Sequence, residues 1–194
     1  MKIGLFFGSF NPIHVGHLMV ANAMVEDAAI EQVWFVVSPQ NPFKKKISLL
    51  HEFDRLDLVR LAIDDNPRFQ ACDIEFRMPQ PSYTVDTLAY LSDKHPQHHF
   101  QLIIGEDNLA SFPKWKNHEA ILQHYGLLVY PRPGYGSSVP EALQNHPNVQ
   151  VVEAPLIDLS ATYIRKRVAE GRSIQYLVPQ PVIEQIEAKK FYTD

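Results

Sequence analysis

Apolar positions fall into short β-branched and aromatic blocks separated by longer stretches of helical character. Ile3-Gly4-Leu5-Phe6-Phe7 and Val33-Trp34-Phe35-Val36-Val37 run without a polar interruption, as strands do when both faces are covered. The pattern predicts strands over Lys2–Phe7, Gln32–Ser38, Phe69–Asp73, Phe100–Gly105, Gly126–Tyr130 and Val149–Glu153. Helices are expected near Val15–Ala29, His51–Asp64, Tyr83–Lys94, His118–His124 and Pro140–Gln144. Alternation of this kind means βαβ units, hence a parallel sheet with right-handed crossovers. After the last strand, Ser160 suits an N-cap and Gly171 a helix stop, and a final helix follows Pro179 and Pro181 to about Lys190. The expectation is one α/β domain over 1–194 with a small C-terminal helical part from about 160. Ligands of open parallel sheets bind beyond the strands' carboxyl ends, where strand order reverses. The turn after the first strand, the turn at Gly105 and the helix at Ser160 are expected to converge there.

Composition narrows the partners. The chain has 194 residues, one cysteine (Cys72) and a net charge of -4, which argues against a broad nucleic-acid surface and requires a local basic pocket for any anionic ligand. A lone cysteine excludes an internal disulfide and fits a reducing cytoplasm. Met1-Lys2 leads directly into the first strand, so no leader is expected, and no apolar run approaches the roughly 18 residues of a membrane span. His95, His98 and His99 lie before a strand without cysteine or carboxylate support, and no protein-held metal is expected there.

The densest chemistry is Gly8-Ser9-Phe10-Asn11-Pro12-Ile13-His14-Val15-Gly16-His17. A strand empties into a tight turn, and a helix begins with two imidazoles. Unpaired N–H groups at a helix start carry partial positive charge. A phosphate there meets those donors and two rings able to donate. Leu159-Ser160-Ala161-Thr162-Tyr163-Ile164-Arg165 repeats the idea with hydroxyls and an arginine that can grip two oxygens. Gly105-Glu106-Asp107 ends a strand and offers an acceptor for sugar hydroxyls, and Trp115 offers a flat face for a ring. Pro81-Ser82-Tyr83-Thr84-Val85-Asp86-Thr87-Leu88 opens another helix, with Ser82 or Thr84 as expected cap. Lys44, Lys45 and Lys46 follow the second strand, and Arg55 the segment after it.

The first stretch resembles the HxGH signature of the nucleotidyltransferases that share their core with class I aminoacyl-tRNA synthetases. In its fuller form it is similar to the nicotinate/nicotinamide mononucleotide adenylyltransferases. Leu159–Arg165 resembles that family's ISSTxIR motif, with Ala161 where a second serine usually stands. Ile103–Leu109 with Trp115 resembles its GxDxL…W segment, and Glu75–Leu88 its ExxR…SYTxDTL segment, with a shorter Glu-to-Arg gap here. The resemblance spans residues 3 to about 187.

It implies a Rossmann-like fold and an enzyme of pyridine nucleotide synthesis. ATP and nicotinate mononucleotide would give deamido-NAD and pyrophosphate. His14, His17 and Arg165 would be catalytic. Gly8, Ser9, Phe10, Gly105, Asp107, Arg132, Ser160 and Thr162 would bind ATP. Ser9, Lys44, Ser82, Tyr83, Thr84 and Trp115 would bind the mononucleotide, and Mg²⁺ would arrive with ATP. The alternatives are another nucleotidyltransferase of the same superfamily, such as one acting on nicotinamide mononucleotide or phosphopantetheine, and a catalytically silent nucleotide sensor. Trp115 and the Ser82–Leu88 stretch argue against a phosphopantetheine adenylyltransferase, and the histidines with Arg165 argue against a silent nucleotide sensor.

Overall fold

A computed structural model describes residues 1–39, 49–134 and 140–193. Its sheet has six parallel strands: β1 Lys2–Gly8, β2 Gln32–Val37, β3 Phe69–Cys72, β4 His99–Gly105, β5 Leu127–Tyr130 and β6 Val149–Val151, in the order β3-β2-β1-β4-β5-β6. This is the doubly wound Rossmann-like arrangement, with its switch point between β1 and β4. Phe6 of β1 stands beside Ile103 of β4, so the carboxyl ends of those strands open side by side.

The uninterrupted apolar runs are explained by two buried faces. In β2, Val33, Phe35 and Val37 enter one core, whereas Trp34 and Val36 enter the other. In β1, Phe6 joins the first core, and Ile3 and Leu5 the second. Each such side chain contributes about 1.5–3 kcal/mol by leaving water. The first core is roofed by α1 (Val15–Asp27), α2 (Glu52–Ile63) and two late helices, α7 (Ala161–Ala169) and α8 (Gln180–Lys189). The second is covered by α3 (Thr84–Lys94), α4 (Glu106–Ser111), α5 (His118–His124) and α6 (Glu141–Gln144).

Boundaries shift where backbone geometry overrides the apolar pattern. The first helix stops at Asp27 instead of Ala29, since Ala29 is left-handed (φ 51°) as the chain reverses into β2. Gly126, also left-handed (φ 73°), precedes β5 instead of opening it. The edge strand β6, paired only with β5, ends at Val151 instead of Glu153. A short helix immediately after Gly105 and two single 3₁₀ turns, at Ile74–Arg77 and Phe112–Lys114, were not expected from the sequence. Gly171 is left-handed (φ 65°) just beyond α7, as its helix-stop reading requires.

Candidate active site

The β1 turn and the start of α1 form one wall. His14 is the N-cap residue of α1 and His17 lies in its first turn. Their rings stack with centroids 3.6 Å apart. The His14 backbone N–H donates to His17 Nδ1 at 3.2 Å, which leaves Nε2 as the protonated position of a neutral His17. Phe6 and Phe10 meet the His17 ring edge-on at 5.9 and 5.1 Å. His14 is buried, with Nδ1 lacking a hydrogen-bond partner. Burial, reinforced by the charge of Arg132, lowers its pKa to about 4. His14 is therefore neutral at pH 7.

The glycine between the histidines has a packing reason. A Cβ on Gly16 would stand 3.0 Å from His14 Nδ1 and 3.1 Å from its Cε1. Gly8 makes room in the same way, since a Cβ there would lie 2.8 Å from the Phe10 ring. Phe10 itself is a core side chain with φ 44°. The Val15 N–H already donates to Leu177 O at 3.0 Å.

The opposite wall is looser. Ser160 caps α7, its hydroxyl oxygen accepting from the Tyr163 N–H at 3.2 Å. Arg165 donates to the Asn11 carbonyl at 2.8 Å, and its other terminal nitrogen lies 3.3 Å from Thr162 Oγ1. The late motif is thereby fastened to the first turn across 154 residues of sequence. Gly105 is bare because a Cβ would collide with Asp107 Oδ1 and lie 3.0 Å from the Tyr130 ring. Arg132 Nε stands 3.7 Å from Asp107 Oδ1, and neither buried atom has a hydrogen-bond partner. The Arg132 N–H donates to the Glu106 carboxylate at 2.8 Å.

Between the walls lies a cleft of only about 20 Å³, lined by His14, Gly16, His17, Arg132, Ile157 and Leu159 among others. That is room for about one water. A concavity of about 590 Å³ over α1 and α2 is roomier. Its charged lining residues are Glu26, Asp27, Asp65 and Glu153, the wrong sign for phosphate.

On the β1–β2 side, the start of α3 corrects one expectation. Tyr83, not Ser82 or Thr84, is the N-cap residue, and no side chain caps the helix. Ser82 is buried, where it and Ser38 supply hydrogen bonds to the Glu75 carboxyl alongside the Thr87 hydroxyl at 2.9 Å. Burial pushes the Glu75 pKa up, and those three hydroxyls act against the rise. Trp115 is half-buried, 5.6 Å from Phe112 between ring centroids. Beside it, Lys116 Nζ lies 4.6 Å from the centre of the Tyr83 ring and 2.8 Å from Asp86 Oδ2. Lys44 lies outside the described residues.

Several groups here escaped the sequence reading. Lys116 had only its adjacency to Trp115 as a signal. Asn11 proves to be a hub: its side-chain oxygen accepts from the Leu50 N–H at 3.3 Å and the Tyr192 hydroxyl at 2.9 Å. Among the described residues, no group of three or more His, Cys, Asp or Glu is placed to hold a metal. None of the helices among them is long and apolar enough to cross a membrane.

The cytidylyltransferase-like family model matches residues 5–167. A Cytophaga hutchinsonii protein described as a probable nicotinate-nucleotide adenylyltransferase is 62% identical over 194 residues, all of both chains. The chain belongs to the nicotinate-nucleotide adenylyltransferase family. A Flavobacterium psychrophilum relative of the same description is 50% identical over 192 residues, 99% of each chain. The fold agrees with Plasmodium falciparum nicotinic acid mononucleotide adenylyltransferase complexed with NaAD, at a TM-score of 0.80 and 19% identity over 98% of this chain and 97% of that one.

Proposed function

We propose that the chain transfers the adenylyl group of ATP to nicotinate mononucleotide, releasing pyrophosphate and forming deamido-NAD. The observation that carries the mechanism is the junction of two phosphate-type helix starts over the β1/β4 switch point, tied by the 2.8 Å bond from Arg165 to Asn11.

The mononucleotide phosphate is an anion at neutral pH, so its oxygen attacks the α-phosphorus without a general base. The new O–Pα bond forms as the Pα–O bond to the β-phosphate breaks, and the electron pair leaves with pyrophosphate. Catalysis is then positioning plus stabilisation of growing charge. His14 and His17 act at the α- and β-phosphates. A neutral His14 donates one N–H in a dry site, where a single donor is strongest. Arg165, Thr162 and the free O–H of the Ser160 cap hold the β/γ end. Asp107, beside Gly105, takes ribose hydroxyls, and Arg132 borders the nucleotide. ATP enters as its Mg²⁺ complex, the ion travelling with the substrate.

The Ser9 turn and Lys44 receive the mononucleotide phosphate, and Trp115 stacks on the pyridine ring. The uncapped start of α3 at Tyr83 and Thr84 supplies N–H donors, with Lys116 alongside. These suit a carboxylate and mismatch an amide's NH₂, leaving donors unpaired. Residues 1–194 work as one domain in this reading, within the cytoplasm.

The test is pyrophosphate release from ATP with nicotinate mononucleotide, nicotinamide mononucleotide and phosphopantetheine side by side. The expected preference for the nicotinate form is about tenfold or more in kcat/KM, near 1.4 kcal/mol. Equal efficiency with the amide would refute the account of α3. Turnover of phosphopantetheine alone would refute the substrate assignment.

A further inference from the structure

Arg55 is 1% exposed, yet among the described residues it bonds no carboxylate. Its Nε donates to Leu50 O at 2.9 Å, Nη1 to Ser9 O at 2.6 Å and Ser38 O at 2.8 Å, and Nη2 to Pro39 O at 3.0 Å. Burial pulls its pKa down, with Glu52 acting against the fall, and the guanidinium stays charged. One planar fork therefore joins three segments: the turn after β1, the end of β2 and the entry to α2. Leu50, held at its carbonyl, also donates its N–H to Asn11 Oδ1 in that first turn.

Removing a cation from water to hold carbonyls is a costly way to stabilise a fold, and an apolar side chain of like volume commonly does as well or better. Arg55 supplies two things that an apolar residue cannot. It fixes four carbonyls at once, and it sets a positive charge behind the Ser9 turn of a chain whose net charge is -4. Its hydrogen-bond acceptors among the described residues all lie on the β1–β2–α2 side, while Tyr192, beyond α8, acts on its charge from nearby. The residues assigned to ATP beyond the first turn lie at the end of β4 (Gly105), in α4 (Asp107), just after β5 (Arg132) and at the start of α7 (Ser160 and Thr162).

We propose that Arg55 is a positioning residue for the mononucleotide half of the reaction, locking the Ser9 turn to the end of β2 and holding positive charge behind the seat of the mononucleotide phosphate. This rests on the adenylyltransferase reading above.

The experiment is steady-state kinetics of the wild-type enzyme, Arg55→Lys and Arg55→Met, each checked for folding by its thermal midpoint. Both variants should raise the KM for nicotinate mononucleotide about tenfold or more, leave the KM for ATP within about twofold, and lower kcat less than KM rises. Lysine keeps the charge but not the fork, so it should not rescue. An unmoved mononucleotide KM in a folded variant, or a parallel rise for ATP, overturns the proposal. The wild-type protein gives a second readout should both variants fail to fold. With ¹⁵N-labelled arginine, the protected Arg55 Nε–H resonance should shift on addition of the mononucleotide alone and not of ATP alone. A resonance unmoved by the mononucleotide overturns the proposal. Wild-type enzyme releasing no pyrophosphate with this mononucleotide overturns the underlying reading, whereas wild-type turnover with an unmoved KM in Arg55→Lys overturns the inference alone.

Discussion

The helix that starts at His14 and the helix that starts at Ser160, both assigned to phosphate in the proposed mechanism, are in opposite physical states. At α1 the candidate donors are two rings stacked on each other, with His17 packed on Phe6 and Phe10 and His14 buried and neutral. At α7 they are a hydroxyl cap, a second hydroxyl and an arginine, with Ser160 and Thr162 exposed to solvent. Donors fixed in a dry site are worth more to a developing charge because little reorganisation is needed when it appears. Exposed donors are weaker and more easily released, which suits the end of ATP that must depart as pyrophosphate. Within the proposed mechanism, the difference predicts that the first wall governs rate and the second grip on ATP.

The largest effect should come from the first wall. His14→Ala and His17→Ala are each expected to lower kcat by about 10²-fold or more, with smaller changes in either KM. Near-normal turnover in both would erase the distinction between the walls.

Much of this was legible in the sequence, for a physical reason. Strands covered on both faces must be continuously apolar, so Val33–Val37 announced β2 with little help from context. Glycine turns and helix starts are local features, so His14, His17 and Arg165 could be put forward together as candidates from the sequence alone. What stayed hidden depends on distant partners. Arg55 reaches Ser9 across 46 residues, and Tyr192 reaches Asn11 across 181; no local pattern encodes either bond. Phe10 was read as part of the candidate turn, and its side chain packs into the core against Phe6 and Phe35, contacts no local pattern encodes. The α3 cap was misplaced because Ser82, the better capping residue by type, is drawn inward to Glu75.

The buried state of the first wall should also appear as a pH dependence of stability. His14 has a pKa of about 4 in the folded protein against an ordinary 6.5. Between those values the unfolded chain holds a proton that the folded chain does not. Stability contributed by this site is therefore complete above pH 6.5 and falls as pH drops toward 4, by up to about 3 kcal/mol. Urea unfolding of wild type and His14→Gln at pH 7 and 4.5 checks this, the variant showing the shallower decline. Identical slopes would mean that His14 is not held neutral by burial.

Arg165 probes the junction between the walls. Arg165→Ala should cut kcat/KM with ATP as the varied substrate by about 10- to 100-fold, and Arg165→Lys should lose less but measurably, since lysine cannot form the planar pair of bonds. A loss confined to the mononucleotide KM would mean that the two substrate ends are assigned the wrong way round.

The smallest effect separates two duties of one hydroxyl. Ser160 accepts from the Tyr163 N–H as the α7 cap, and its own proton stays available for a phosphate oxygen. Ser160→Ala removes both functions and should cost about 1 kcal/mol of stability along with a few-fold rise in the KM for ATP. Aspartate caps a helix as well as serine does, but it has no proton to give and adds negative charge. Ser160→Asp should therefore keep the wild-type thermal midpoint to within about 2 °C while raising the KM for ATP further than alanine does. If aspartate leaves that KM where serine has it, Ser160 is only a helix cap, and the second wall's grip on ATP rests on Thr162 and Arg165.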